Sequence, residues 1–220
     1  RELLEKVAHE DVSNESFRFM ACRTMDIGMI RAKVGRISVC GELGYEIHCS
    51  AAEHIKLRRI LVEAGEDIGA VEIGYNALLS LRLEKSFGIW SAEFRQEYTP
   101  GETGMDRWIH WNKTGFIGEE GARAERDGDA ATRRLVTLEV DAVDADATGY
   151  EPIWAGDKRV GYITSGGYGH TLDKSLAMAL VDREHCGVGT ELSTHIVGVA
   201  RPCRVVAPSP YDPAGDAMRS

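Results

Sequence analysis

Apolar residues recur at helical spacing near the start of the chain and again after residue 50. The first set predicts a short helix over residues 2–8. Before the second set, Ser50 and Glu53 have the spacing of a capping box, in which the serine side chain accepts a backbone N–H and the glutamate reaches back. The helix that follows is predicted to end before Gly65, a suitable C′ residue.

A third helix is predicted over residues 75–87, with Gly88 closing it. Its leucines form a wide apolar stripe, so we expect most of this helix to be buried. The remaining face carries Arg82, Glu84 and Lys85. The simplest interpretation of Arg82 and Glu84 is that they are ions on a helix face.

Alternating patterns indicate strands elsewhere. Residues 22–40 read as two strands joined by a turn. After residue 133 the pattern consists of short apolar runs, with a hairpin signal at residues 155–158 and a glycine-rich tight turn at residues 166–169. Several short strands with little helix indicate a small barrel or sandwich.

The segment between these two patterns mixes aromatic, charged and turn residues. A short helix is predicted to start near Gly118, and residues 127–129 read as an exposed connection. We place a domain boundary there, which predicts two domains over residues 1–130 and residues 131–220. The predicted fold class is α+β.

Residues 36–48 combine a strand-like run, two glycines and an alternating run. The alternation would place Tyr45 on one face of a strand and Glu46 on the other. A carboxylate at a strand end beside glycines can accept a fork of hydrogen bonds from a flat amino-heterocycle. These residues alone favour a bulged hairpin with two solvated glutamates, Glu42 and Glu46.

Composition and charge exclude several classes of partner and of binding site. The net charge of -9 argues against a nucleic-acid backbone as partner, and no apolar run approaches the length of a membrane span. The five cysteines form no CxxC pair, which favours a reducing compartment and a cytoplasmic protein. No histidine pair has metal-ligand spacing, so no metal site is predicted. Because the chain starts with Arg1, we suspect a fragment or a processed product.

Five motifs, spread over nearly the whole chain, occur in an order and spacing that point to one family. Residues 41–46 are similar to a GE-x-G-[YV]-E motif, residues 80–84 match SLRLE, and residues 98–102 resemble a TPxE turn. Residues 116–118 resemble an FIG segment, and residues 160–168 resemble a G-x-[VI]-TS-G-x-[YF] hairpin. Together they resemble the aminomethyltransferase (glycine-cleavage T-protein) family. The end of the third helix and the closing residues look closest to the C-terminal parts of dimethylglycine and sarcosine dehydrogenases.

The resemblance implies a folate-binding aminomethyltransferase-like domain followed by a C-terminal β-barrel. Tetrahydrofolate would then be the cofactor, accepting a one-carbon unit from a methylated amine such as glycine, sarcosine or a dimethylglycine derivative. The second glutamate of the family motif, here Glu46, would grip the pterin ring through two charge-assisted hydrogen bonds. The other implied cofactor-binding residues are Tyr45, Arg82 and Tyr211. The aspartate that assists transfer in the family has no counterpart in these residues, so no catalytic residue is assigned.

Three functions stay open at this point. The chain could belong to a tetrahydrofolate-dependent enzyme, to a non-catalytic module that binds folate or another ligand, or to a demethylase of the same fold acting on a methylated sulfur or oxygen donor. The implied partners are folate, the methylated amine and a flavin dehydrogenase domain or subunit. Leu78 and Leu79 stand where the T-proteins carry an arginine and an aspartate, and the donor stays open.

Overall fold

Six α-helices and nine β-strands make up the chain in a computed structural model that describes all of residues 1–220. The chain divides into two units. The first consists of Arg1–Leu78 together with Ala214–Ser220, and the second of Leu79–Pro213. None of the helices is both long and apolar enough to span a membrane.

The first unit packs helices against a three-stranded antiparallel sheet of order β1-β2-β3. Its elements are α1 (Glu2–Val7), β1 (Cys22–Ile27), β2 (Ile30–Gly35), β3 (Glu46–His48), α2 (His54–Gly65) and α6 (Asp216–Arg219). The side chains of Phe17, Met25, Ile27, Ile30 and Val34 are completely buried in its core. The predictions of a short first helix and of two strands within residues 22–40 are therefore confirmed.

The capping box predicted at residues 50–53 is wrong. Helix α2 begins at His54, and no side chain caps it. The Ser50 hydroxyl instead donates to the Glu53 carboxylate at 2.9 Å, so a side chain competes successfully with the backbone. At the other end, a 3₁₀ turn over Glu66–Ile68 continues the helix, and Gly69 with φ +71° supplies the left-handed residue predicted at Gly65.

Helix α3 (Tyr75–Glu84) is shorter than predicted, and Ser86 rather than Gly88 closes it. Ser86 has φ +56°. Its N–H donates to Leu83, and the Phe87 N–H donates to Arg82, which is the Schellman pattern.

Burial along α3 also differs from the prediction. The first residues are exposed, with Tyr75 at 65%, whereas Arg82 is 2% exposed and Glu84 and Lys85 are each 1% exposed. The interpretation of Arg82 and Glu84 as simple ions on a helix face is therefore wrong.

The second unit contains a closed antiparallel barrel of order β4-β7-β6-β5-β8-β9. Its strands are β4 (Arg133–Val140), β5 (Pro152–Ala155), β6 (Lys158–Gly169), β7 (Lys174–Asp182), β8 (Glu191–Ile196) and β9 (Val199–Val206). Two helices precede the barrel, α4 (Pro100–Thr103) and α5 (Glu119–Asp127). The predicted α+β class and C-terminal barrel are confirmed, as is the hairpin in which Ala155 pairs with Lys158.

The tight turn predicted at residues 166–169 is wrong, because β6 continues through Gly169. The glycines serve close packing instead. A Cβ on Gly161 would lie 2.2 Å from the carbonyl oxygen of Leu180, and one on Gly166 would lie 2.4 Å from that of Ala147. Residues 79–132 lie in the same unit as the barrel, and the domain boundary near residue 130 stays a prediction.

Candidate functional site

Residues 37–45 form the loop that connects β2 to β3, and a hydrogen bond within the loop stabilises it. Gly41 has φ +85° and donates its N–H to the Ser38 hydroxyl at 2.9 Å. A Cβ on Gly44 would lie 3.3 Å from the carbonyl oxygen of Ile37. The positive φ of Gly41 favours glycine, and a side chain at Gly44 would be crowded, in the loop that places Glu46 opposite Gly35 in the sheet.

The side chains of β3 alternate between core and solvent. Tyr45, just before the strand, stacks its ring on that of Phe17 with centroids 5.9 Å apart, and Ile47 packs against the same core. Glu46 faces the other way, with its side chain 45% exposed and its Oε2 3.4 Å from the Nε2 of His48. This confirms the predicted alternation and leaves a carboxylate exposed at the sheet edge.

The apolar side of β3 borders a cavity of about 620 Å³, and Glu46 is not among the residues that line it. Tyr45, Ile47, Leu57 and Leu61 contribute apolar walls. The Tyr45 hydroxyl is buried with no hydrogen-bond partner. The phenol of Tyr45 and the carboxylate of Glu46 therefore lie on opposite sides of the chain, and only the carboxylate is exposed to accept hydrogen bonds from a polar heterocycle.

A buried carboxylate in the second unit, Glu93, was missed by the sequence analysis. Its Oε1 accepts from the hydroxyls of Thr164 at 2.6 Å and Ser165 at 2.5 Å. Its Oε2 accepts from the Ile89 N–H at 2.9 Å and faces the guanidinium of Arg82 at 3.5 Å. No sequence signal marks Glu93, which stands among aromatic and charged residues that read as an irregular segment.

Arg82, a predicted cofactor-binding residue, lies deep in this arrangement. Besides Glu93, its guanidinium contacts the carbonyl oxygen of Phe87 at 3.1 Å and the sulfur of Met178 at 3.4 Å. These contacts join the end of α3 to barrel strand β7. They support a structural role for Arg82, and its contact with folate stays a prediction.

Glu84 and Lys85 attach the same helix end to two further parts of the second unit. The Glu84 carboxylate accepts the N–H groups of Thr171 at 2.7 Å and Leu172 at 2.9 Å, in the turn between β6 and β7. The Lys85 ammonium donates to the carbonyl oxygens of Tyr211 at 3.0 Å and Asp212 at 2.6 Å. The three buried charges thus each hold a different segment.

Tyr211, the last of the predicted cofactor-binding residues, is half-buried and closely tied to α3. Its N–H donates to the Glu84 carbonyl oxygen at 2.9 Å, and the Lys85 ammonium lies 5.7 Å from its ring centroid. The structure therefore places Tyr45 and Glu46 on opposite faces at the edge of the sheet in the first unit, and Tyr211 against the helix end that carries Arg82 in the second. The folate contacts of all four residues stay predictions.

No group of three or more histidine, cysteine, aspartate or glutamate side chains is arranged to hold a metal ion. All five cysteines are free thiols.

Comparison with known families agrees with this architecture. The family model described as the GCVT N-terminal domain matches residues 1–113, and that of the glycine cleavage T-protein C-terminal barrel domain matches residues 133–212. The chain belongs to the glycine cleavage T-protein family, as the motifs indicated.

Its relatives include both transferases and oxidising enzymes. The chain is 34% identical to mitochondrial dimethylglycine dehydrogenase of Mus musculus, with 94% of this chain and 24% of that protein covered. It is 32% identical to an aminomethyltransferase of Bacillus mycoides (strain KBAB4), covering 95% and 56%. It is also 32% identical to 4-methylaminobutanoate oxidase (formaldehyde-forming) of Paenarthrobacter nicotinovorans, covering 100% and 26%. The chain thus spans from about a quarter to just over half of these relatives.

The fold is shared with a solved structure, glycine cleavage system aminomethyltransferase T from Bartonella henselae. The TM-score is 0.79 at 22% identity, with 91% of this chain and 54% of that chain covered. At this identity the comparison supports the fold alone.

Proposed function

We propose that this chain contributes to a tetrahydrofolate-dependent one-carbon transfer site in which Glu46 holds the pterin ring. The observation that carries the proposal is the exposed Glu46 carboxylate, which a closed glycine loop and the pairing with Gly35 hold at the end of β3. Membership of the T-protein family supports folate as the ligand. The names of the relatives, aminomethyltransferase and dimethylglycine dehydrogenase, support one-carbon chemistry.

A carboxylate suits this task because the pterin edge presents adjacent N–H donors. Both oxygens of Glu46 can accept at once, and charge-assisted pairs of this kind are about twice as strong as neutral hydrogen bonds. Tyr45, fixed by its stack on Phe17, would hold the neighbouring backbone in place. When bound, tetrahydrofolate would supply the acceptor for the one-carbon unit.

We propose a methylated amine as the donor and a flavin dehydrogenase domain or subunit as the partner. The dehydrogenase and the oxidase among the relatives are each about four times as long as the part that this chain covers, which leaves room for a second domain. A non-catalytic folate-binding module, or a demethylase acting on a methylated sulfur or oxygen donor, would use the same carboxylate. Product analysis with each donor class separates the three functions.

The test is the substitution Glu46→Gln in the complete protein, with tetrahydrofolate binding measured by calorimetry. Glutamine keeps the shape but turns one acceptor into a donor that faces donors. We expect a loss of roughly 2–4 kcal/mol, about thirty- to several-hundred-fold in affinity. Glu42→Gln, in the same loop, is the matched control and should change affinity much less. Equal binding by Glu46→Gln and the parent, or no binding by the parent, would refute the proposal.

A further inference from the structure

The guanidinium of Arg36 lies in the first unit, 1% exposed, where it is bound by main-chain oxygens. Its Nη1 donates to the carbonyl oxygen of Phe17 at 2.7 Å. Its Nη2 donates to the main-chain oxygens of Arg219 at 3.1 Å and Ser220 at 2.8 Å. One planar cation therefore joins two segments that are about two hundred residues apart in sequence.

Arg36 is linked to the proposed pterin-binding residues in two ways, through the backbone and through Phe17. Arg36 directly follows Gly35, the residue that pairs with Glu46. Phe17, whose carbonyl oxygen Arg36 binds, stacks its ring on Tyr45. Movement of the Arg36 side chain would thus shift both the strand opposite Glu46 and the ring beneath Tyr45.

The conformation of the segment Ala214–Ser220 presents its last main-chain oxygens to Arg36. It forms the short helix α6, preceded by Gly215 at φ +70°. A Cβ on Gly215 would lie 2.8 Å from the terminal carbon of Met218 and 3.2 Å from Nη1 of Arg219. The Arg219 side chain folds back onto the carbonyl oxygens of Ala214 and Gly215. The backbone oxygens of residues 219 and 220 accept from Arg36, and that of Ser220 also accepts from Nη2 of Arg1 at 2.7 Å.

We propose that Arg36 is a positioning residue that makes the orientation of Tyr45 and Glu46 depend on docking of residues 214–220. Its effect on a ligand rests on the proposed function, whereas the coupling between the two segments does not. A buried guanidinium requires hydrogen-bond acceptors. Arg36 finds them in the Phe17 carbonyl oxygen on one side and in the oxygens of the docked segment on the other, so both segments must stay in place.

The test compares three substitutions in the complete protein. Arg36→Lys keeps the charge but loses the fork that spans Phe17 and the docked segment. Gly215→Val strains α6 from the other side, since a β-branched residue disfavours positive φ. Gly69→Val is the matched control, because Gly69 has φ +71° in the same unit and a Cβ there would meet nothing within 4 Å.

Two measurements are made on each variant. Hydrogen exchange follows the amides of Arg36, bonded to the Ala21 carbonyl oxygen, and Gly41, bonded to the Ser38 hydroxyl. Calorimetry gives the tetrahydrofolate affinity. We expect Arg36→Lys and Gly215→Val to speed exchange at both amides and to weaken binding about tenfold. We expect Gly69→Val to do neither, at a comparable loss of stability.

The double variant Arg36→Lys/Gly215→Val should bind no more weakly than the worse single variant, since both act through one contact. Unchanged exchange at residues 36 and 41 in Gly215→Val would overturn the coupling. Faster exchange with parental affinity would restrict Arg36 to anchoring the segment and refute its positioning role. If the parent does not bind tetrahydrofolate, the proposed function fails, and the exchange data alone decide on the coupling.

Discussion

Arg82 and Glu93 form an ion pair that is almost completely buried, with Nη1 3.5 Å from Oε2 and side chains 2% and 0% exposed. The hydroxyls of Thr164 and Ser165 also donate to the Glu93 carboxylate. Such a pair is weak evidence for stability as a whole, but loss of one partner is costly because the other charge stays buried.

We therefore expect Glu93→Gln to lower the free energy of unfolding by about 3 kcal/mol. The amide also presents a donor to the surrounding donors. Urea unfolding measures the effect, with Glu97→Gln as control, because the Arg95–Glu97 pair at 3.4 Å is exposed and is expected to contribute far less to stability. Equal effects of the two substitutions would contradict a special role for burial.

Substitutions of Glu84 can separate its role as a hydrogen-bond acceptor from the effect of its negative charge. One of its oxygens, Oε1, accepts both the Thr171 and the Leu172 N–H groups. Glu84→Ala removes the acceptor of two partly buried N–H groups and should cost about 1–3 kcal/mol, whereas Glu84→Gln keeps a carbonyl oxygen and should cost clearly less. Thermal unfolding of both variants decides this. If glutamine destabilises as much as alanine, the charge rather than the hydrogen bonding is what matters.

The capping box of this chain lies at Thr99 and Glu102, at the start of α4. The Thr99 hydroxyl accepts the Glu102 N–H at 3.3 Å, and the Glu102 carboxylate accepts the Thr99 N–H at 3.2 Å. We expect Thr99→Ala to cost about 1 kcal/mol. Ser50→Ala should change stability by only about 0.5 kcal/mol or less, since Ser50 caps nothing. If Ser50→Ala lowered the urea midpoint more than Thr99→Ala does, Ser50 would be acting as a helix cap.

Because of Cys203, the stability of the barrel is expected to depend on pH in the alkaline range. Burial, with a smaller contribution from the charge of Glu191, raises the pKa of the Cys203 thiol to about 12. In the unfolded chain the pKa is about 8.5, so the folded state holds the proton more tightly. The resulting stabilisation is complete below about pH 8.5 and is lost as pH rises towards about 12.

Replacement of this thiol should therefore flatten the alkaline branch of the stability curve. We expect Cys203→Ala to lose less stability than the parent between pH 8 and pH 10.5, measured as urea midpoints. Cys22→Ala, at an exposed thiol, should follow the parent. Parallel curves for all three proteins would show that Cys203 does not titrate in the unfolding transition.

Much of the fold could be predicted from local pattern. Alternation predicted that Tyr45 and Glu46 lie on opposite faces, because the side-chain period of a strand is set by its own backbone. The barrel strands followed from short apolar runs between turns. The motifs around Glu46 and along α3 indicated the family, because they record residue types rather than contacts.

The predictions that failed depended on which partner each residue meets in the folded chain. Ser50 and Glu53 had the spacing of a cap but bind each other, and the glycines at 161 and 166 permit close packing with distant carbonyl oxygens instead of forming a turn. The sequence pattern favours simple helix-face ions at Arg82 and Glu84, since charged residues normally lie on the surface.

Sequence pattern alone thus determined the strands, the helical segments, the family and the candidate carboxylate of this protein. Only the tertiary structure decided that a run of charges is buried, that Glu93 receives Arg82, and that residues 214–220 reach Arg36. The physical reason is that periodicity reports which face of an element is apolar. The burial of an ion depends on where its counter-charge and hydrogen-bond partners lie in the folded chain, and local spacing carries no information about that.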